Sequence, residues 1–369
     1  MTVLYAVAGG VLALAVLLDA FESVVLPRRV TRPYRLTRFF YRTSWRAFVA
    51  LTLLIPEGKR RQSVLGVFGP LSLLALFTLW AGGLVVGFGM LHQAAAPEGR
   101  SFGESLYLSG TTFTTLGYGD MTPVGGVGRA LAVTEALLGF GFLAIIVSYL
   151  PIFYQTFSRR EIAISLLDAR AGSPPSGGEL LVRLLSGGGP ALGRVLEEFE
   201  RWSAEVLESH LSYPVLSFYR SQHDNQSWLA AILCALDASA LLLTVARGSD
   251  RQQARLTFAM ARHTLVDLAL VLRRPPVAPP ADRLPPERLA ALLKVLTAAG
   301  VTVQEDAKVL TRLAEVRALY EPYAQALADY LRLELPTPWR QADRPDNWQT
   351  SAWSRRAEGI HRLGDDHFD

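Results

Sequence analysis

Thr114-Thr115-Leu116-Gly117-Tyr118-Gly119-Asp120 lies between two long apolar segments. Its glycines reach dihedrals closed to other residues, so consecutive carbonyls in such a run can point the same way along one axis. Stacked carbonyl oxygens of that kind can replace the hydration shell of a cation. Between polar flanks, seven such residues would read as a Gly-rich turn of a soluble protein. Here the flanks are apolar. Upstream, Phe102 to Phe113 has the length of one short helix, with Thr111 and Thr112 close to the run.

The stretch resembles the selectivity filter of the tetrameric potassium channels. Leu116 stands where that family more often has valine or isoleucine; only its carbonyl would face the ion, so the departure is minor. Downstream, Asp120 is followed by Pro123 and by Gly128-Arg129, as in many two-helix bacterial channels. Gly139 falls 22 residues after Gly117, where the family's inner-helix hinge glycine lies. The resemblance covers residues 60–160 or so. It implies an all-α membrane protein with an outer helix, a pore helix, a filter and an inner helix, preceded here by an additional N-terminal transmembrane helix. One filter per chain cannot enclose an ion, so a homotetramer is implied. The carbonyls of Thr115, Leu116, Gly117 and Tyr118 would form stacked rings for K⁺, with Gly119 completing the filter and the Thr115 hydroxyl closing the innermost site. Thr114 and Asp120 would support the loop, Asp120 tying its outer end to the pore helix. The Tyr118 side chain would point away from the pore, and the pore helix would aim its negative dipole end at the cavity. No cofactor is implied beyond the K⁺ ions.

Composition agrees with a membrane part joined to a soluble part. Half of the residues are hydrophobic, yet 19% are charged, close to the ordinary globular level. The single cysteine, Cys234, excludes an intrachain disulfide and reads as a small buried apolar residue. Three segments, at about Val3–Leu26, Ser63–Leu91 and Val124–Phe157, are long enough to cross a bilayer. The first lacks a basic leader and a small-residue cleavage site, so it reads as retained. Ten basic residues from Arg28 to Arg61 face one acid, Glu57, between the first two spans, and Arg159 and Arg160 follow the third. The positive-inside rule then puts residues 27–62 and the C-terminal part in the cytoplasm, with the N-terminus and the pore loop outside, in a plasma membrane.

Arg32, Arg35, Arg38, Arg42 and Arg46 recur at helical spacing, with Phe39, Phe40, Trp45, Phe48 and Leu51 on other faces. A voltage sensor also carries regular arginines, but it follows several helices that bear acids. An amphipathic helix on the anionic inner leaflet is the expectation here. Asp19 and Glu22, one helical turn apart near the cytoplasmic end of the first span, are expected to pair with Arg28 and Arg29 or with that interfacial helix.

The third span would extend roughly 50 Å at 1.5 Å per residue, beyond a bilayer core. Gly139 is expected to permit a bend, and Pro151 removes one hydrogen bond from the ladder. Below the bend, Val147, Leu150, Phe153, Tyr154 and Phe157 would supply an apolar constriction that gates by dewetting. Gly139, Pro151, Phe153 and Phe157 are the gating candidates.

The remainder carries no assignable motif. The glycines at 187–189 do not follow an apolar strand, as a dinucleotide-binding loop would require. Ser173–Gly178 and Gly187–Pro190 read as linkers, and helical patterns follow at about 191–211, 214–247, 252–273, 287–300 and 303–334. The prolines from Pro275 to Pro286 read as a stiff connector, and residues from Pro336 on as a flexible tail. Tyr219–Trp228 is the densest polar cluster, suited to a cytoplasmic regulatory ligand or to helix caps and a turn. The expected organisation is 1–62, an N-terminal transmembrane helix and a basic interfacial helix; 63–158, the pore domain; 159–335, an all-α cytoplasmic domain; and 336–369, a tail. The expected function is passive, non-enzymatic K⁺ conduction gated by the cytoplasmic domain, with a membrane-anchored sensor or scaffold and a weakly conducting pore as the alternative. No nucleic-acid partner is expected.

Overall fold

The computed structural model describes residues 1–26, 35–186, 191–223, 225–247 and 250–339. It divides into two compact units, Met1–Gln155 and Thr156–Asp369. Both are helical, and three helices are long and apolar enough to span a bilayer: Thr2–Val25, Lys59–Ala94 and Gly125–Ala171. This is an all-α membrane protein.

In the first unit, α1 (Thr2–Ala20) closes in a π turn, Phe21–Val25, and is followed by α2 (Leu36–Thr52), α3 (Lys59–Ala94), α4 (Phe102–Phe113) and α5 (Gly125–Ala171), whose residues from Thr156 on belong to the second unit. α1, α2 and α4 all pack on α3. Small residues set the α1–α3 distance: a Cβ on Gly9 would lie 2.5 Å from the Gly87 carbonyl oxygen, and one on Gly87 would lie 3.2 Å from Ala13 Cβ. Lipid offers no hydrophobic drive between helices, so close backbone approach and van der Waals contact hold them.

Asp19, buried in α1, joins three helices. It accepts hydrogen bonds from the Thr37 amide (3.1 Å), the Thr37 hydroxyl (2.5 Å) and Trp80 Nε1 (2.9 Å). Arg35 Nε lies 3.9 Å from Asp19 and 3.7 Å from Glu22. The acids therefore meet the start of α2, while Arg28, Arg29 and Arg32 lie outside the described residues. On α2, Trp45 is buried edge-on against Phe68, with ring centroids 4.7 Å apart, and Arg42 and Arg46 stay exposed.

α5 is longer than the sequence suggested. Its 47 residues run unbroken through Gly139, Gly141 and Pro151, about 70 Å at the α-helical rise.

The second unit is built around α8 (Trp228–Thr244), which is buried almost throughout and includes Cys234 at 0% exposure. Around it lie α6 (Gly177–Ser186), α7 (Ala191–Ser212), α9 (Arg251–Val271), α10 (Pro286–Ala298), α11 (Ala307–Ala318) and α12 (Glu321–Leu331). Two-residue strands β1 (Ala246–Arg247) and β2 (Thr302–Val303) pair antiparallel. Several boundaries differ from expectation. The helix expected at 214–247 begins only at Trp228, because Pro214–Phe218 is a 3₁₀ turn and Ser227 caps α8 by accepting from the Ala230 amide. The pattern at 303–334 splits at Tyr320, and Pro322 takes the first turn of α12. The expected linker at 173–178 is packed instead: Gly177 and Gly178 open α6, and a Cβ on Gly177 would stand 2.5 Å from the Ala238 amide nitrogen. The start of the expected tail is docked as well. Pro338 O accepts from the Gly178 amide (2.7 Å) and the Ser176 hydroxyl (2.8 Å). The tail from residue 340 on, and Gly187–Pro190, lie outside the described residues.

The proline connector is pinned by charge. Arg283 donates to Asp237 on α8 (2.7 Å) and to Glu321 on α12 (3.1 Å), and Arg317 reaches Glu321 (3.0 Å) and Asp282 (2.5 Å). Buried charges persist only when paired in this way.

His210, on α7, is fully buried, with Nδ1 2.8 Å from the Val206 carbonyl. Burial, then the adjacent Arg160 charge, depresses its pKa from 6.5 to about 3. In the unfolded chain His210 takes a proton near 6.5, while the folded chain resists until about 3. Stability is therefore full above about 6.5 and falls as pH drops toward 3, by up to about 1.4 kcal/mol per pH unit from this group. Thermal unfolding of the full chain in detergent at about pH 7 and about pH 5 should show a steeper loss for wild type than for His210→Gln.

Candidate functional site

α4 starts on a capping box. Ser101 Oγ accepts from the Glu104 amide at 3.3 Å, and Glu104 Oε2 accepts from the Ser101 amide at 2.7 Å. It ends at Thr114, and the backbone then alternates. Thr115, Gly117 and Gly119 have φ of +58°, +51° and +81°, while Leu116 and Tyr118 between them keep negative φ. In a strand, successive carbonyls point to opposite sides; alternating the sign of φ rotates them toward one side. Glycine adopts the left-handed region freely. Thr115 is β-branched, and holding it there costs about 1–3 kcal/mol.

The amides of this segment turn back onto α4. Leu116 N and Gly117 N both donate to Thr111 O, at 2.9 Å and 3.2 Å, and Thr115 N donates to Thr112 O at 3.0 Å. Among the described residues, none of the carbonyls from Thr115 to Gly119 accepts a hydrogen bond. Past the loop, Asp120 Oδ2 accepts from Tyr107 OH at 2.9 Å, which ties its outer end to α4. In the single chain Tyr118 is 70% exposed.

Behind the loop, α5 presses on α4. A Cβ on Gly139 would lie 2.0 Å from the Phe113 carbonyl oxygen, whereas one on Gly141 meets nothing within 4 Å. The helix does not break at Gly139, where a bend was expected; the glycine is a point of close approach. One turn before it, Glu135 is completely buried. Its Oε1 accepts from the Ser109 hydroxyl on α4, and its Oε2 shares a 2.9 Å hydrogen bond with His92 Nε2 on α3. Sequence reading passed over Glu135 and His92, although an acid within a spanning helix is itself a signal.

The expected gate residues separate. Phe153 and Phe157 are buried, at 3% and 6% exposure: Phe153 stacks on Tyr149 at 6.0 Å, and Phe157 lies 5.5 Å from Tyr219. Both are packed within the chain. Val147 and Tyr154, on another face, remain 63% and 62% exposed, and Pro151 is exposed too.

Several members of the Tyr219–Trp228 cluster make internal bonds. Arg160 donates to Leu216 O (2.9 Å) and Tyr219 O (3.0 Å). Glu161 accepts from the Ser221 hydroxyl (2.6 Å) and the Gln222 amide (3.1 Å). Arg220 donates to the carbonyls of Leu331 (2.8 Å) and Arg332 (3.0 Å), closing α12. Burial moves Tyr219 up to about 12 and Arg220 down to about 10. These contacts match caps and a turn; Asp224 lies outside the described residues.

Because Gly139 abuts Phe113 O, Gly139→Ala must displace α5 or α4, at about 1–3 kcal/mol as an overpacking substitution. Gly141→Ala should be silent. Unfolding in detergent of both variants beside wild type checks the contrast.

The family described as "Ion channel" matches residues 73–156, which run from α3 through the loop into α5. Protein LctB of Geobacillus stearothermophilus is 41% identical over 96 residues, covering 21% of this chain and 71% of that protein. Protein LctB of Bacillus caldotenax is 36% identical over the same extent. An uncharacterized membrane protein, YdjJ of Bacillus subtilis (strain 168), is 23% identical over 234 residues, 61% of this chain and 67% of that one. No solved structure matches the chain. With its spanning helices, the short helix and loop between them, and these relatives, the chain belongs to the ion-channel family.

Proposed function

We propose that four copies of this chain form a passive, K⁺-selective channel of a plasma membrane, opened and closed through the second unit. One observation carries the selectivity: φ alternates in sign from Thr115 to Gly119 and the carbonyls there accept no internal hydrogen bond. The carbonyls of Thr115, Leu116, Gly117 and Tyr118 would form the K⁺ sites, Gly119 the outer mouth, and Thr114 and Asp120 the support. Fourfold repetition supplies the ring that one chain lacks.

Charge supports the orientation. The arginine-rich α2 and the second unit would be cytoplasmic, with the N-terminus and the Asp120 end of the filter outside. Exposed Arg42 and Arg46 beside exposed Phe39 and Leu51 suit an anionic inner leaflet. An apolar gate would take Val147 and Tyr154 from α5 in place of Phe153 and Phe157. Coupling would run along α5 itself, since Arg160 and Glu161 are the residues of this helix bonded to the 216–222 segment.

Purified protein in liposomes should pass K⁺ well above Na⁺, and Gly117→Ala should abolish that selective flux. Absence of selective flux from intact tetramers would favour a membrane-anchored sensor. In the same assay Glu161→Ala should change the open fraction while leaving the K⁺/Na⁺ ratio at the wild-type value.

A further inference from the structure

The buried acid on α5 has no part in the conduction path described above, yet three helices converge on it. Glu135 is 0% exposed, Ser109 0% and His92 2%. An ionisable side chain inside a membrane-spanning helix is costly and persists where it has partners and a task. Its partners are unusual in their distribution, one on each of the two other helices of the pore segment. Ser109 Oγ lies within hydrogen-bond reach of Glu135 and of Val85 O on α3 (2.7 Å), and its single proton serves one of them at a time.

The position of Ser109 gives the cluster its meaning. Two residues further along α4 is Thr111, whose single carbonyl receives the amides of both Leu116 and Gly117. Any shift of α4 at Ser109 therefore reaches the filter backbone within one helical turn. Gly139, one turn beyond Glu135, is where α5 touches Phe113 O. Glu135 and Gly139 thus grip α4 at two neighbouring points, one by hydrogen bonding and one by contact. Gln93, next to His92 in the chain, is occupied elsewhere: its Oε1 accepts from Ser105 and its Nε2 donates to Arg100 O.

We propose that Glu135, clasped by Ser109 and His92, is a positioning residue for ion selectivity: it fixes α4 so that the Thr111 carbonyl holds the filter amides in register. The inference rests on the K⁺-channel reading above. Glutamine can make both contacts, its Nε2 donating to Ser109 Oγ and its Oε1 accepting from His92. Alanine leaves buried polar partners unmatched.

The test is the K⁺/Na⁺ permeability ratio, from reversal potentials of full-length tetramers in planar bilayers under a salt gradient. Glu135→Ala should lower the ratio by about tenfold or more, and Glu135→Gln should rescue it. Ser109→Ala, a smaller change, should lower the ratio in the same direction and serves if Glu135→Ala does not assemble. A wild-type ratio in both alanine variants would overturn the proposal, as would a Gln variant that fails as badly as alanine. A wild-type protein without selectivity would instead remove the channel reading, and this inference with it.

Discussion

A peptide that turns its carbonyls to one side must send its amides somewhere, and inside a membrane no water is available to take them. In this chain the solution is local. Thr111 O takes two amides and Thr112 O takes a third, so the unused carbonyls at the C-terminal end of α4 serve the loop that follows it. Helix termini always leave such carbonyls over. Several further contacts in the first unit secure that arrangement. The capping box fixes where α4 begins, Tyr107 holds Asp120 beyond the loop, and α3 packs along α4. The left-handed Thr115 persists because its surroundings over-determine it.

The second unit solves a comparable problem with side chains. Its central helix carries Asp237 into a core of leucine and alanine, where an unpaired carboxylate would be ruinous. Arg283 and Tyr320 meet it there, at 2.7 Å and 2.5 Å, and draw in the proline-rich segment and α12. Ionic pairing of this depth adds little net stability over an apolar core. What it fixes is which segments meet, and a stretch with five prolines ahead of α10 and no helix of its own needs that instruction.

How much of this could be read from the chain follows the range of the interactions. The short helix Phe102–Phe113 and the loop after it were legible because their signals are local: a helix-length segment, then glycines at positions that need left-handed φ. The spanning helices were legible from length and hydropathy. The partners of Phe153 and Phe157 were not legible, because hydrophobicity tells that a residue avoids water, while only the fold tells which neighbour it meets. Ser173–Gly178 looked like a linker for the opposite reason: small residues permit both a flexible turn and tight packing, and Gly177 turned out to press on α8. His92 and Glu135, 43 residues apart in the chain, carry no pairing signal short of the folded structure.

The contact between Gly139 and Phe113 O also sets the mechanics of α5. A rod clamped against its neighbour cannot swing about the clamp without dragging that neighbour along, and here the neighbour carries the strained loop. Rotation at the level of Gly139 would therefore disturb the loop before it moved the far end of the helix. Pro151 lies three turns further on, where the ladder is one hydrogen bond short. A missing hydrogen bond lowers bending stiffness, and motion at that point would leave the clamped portion at rest. In the channel proposed above, the fulcrum of α5 would belong at the proline, with the glycine as its anchor.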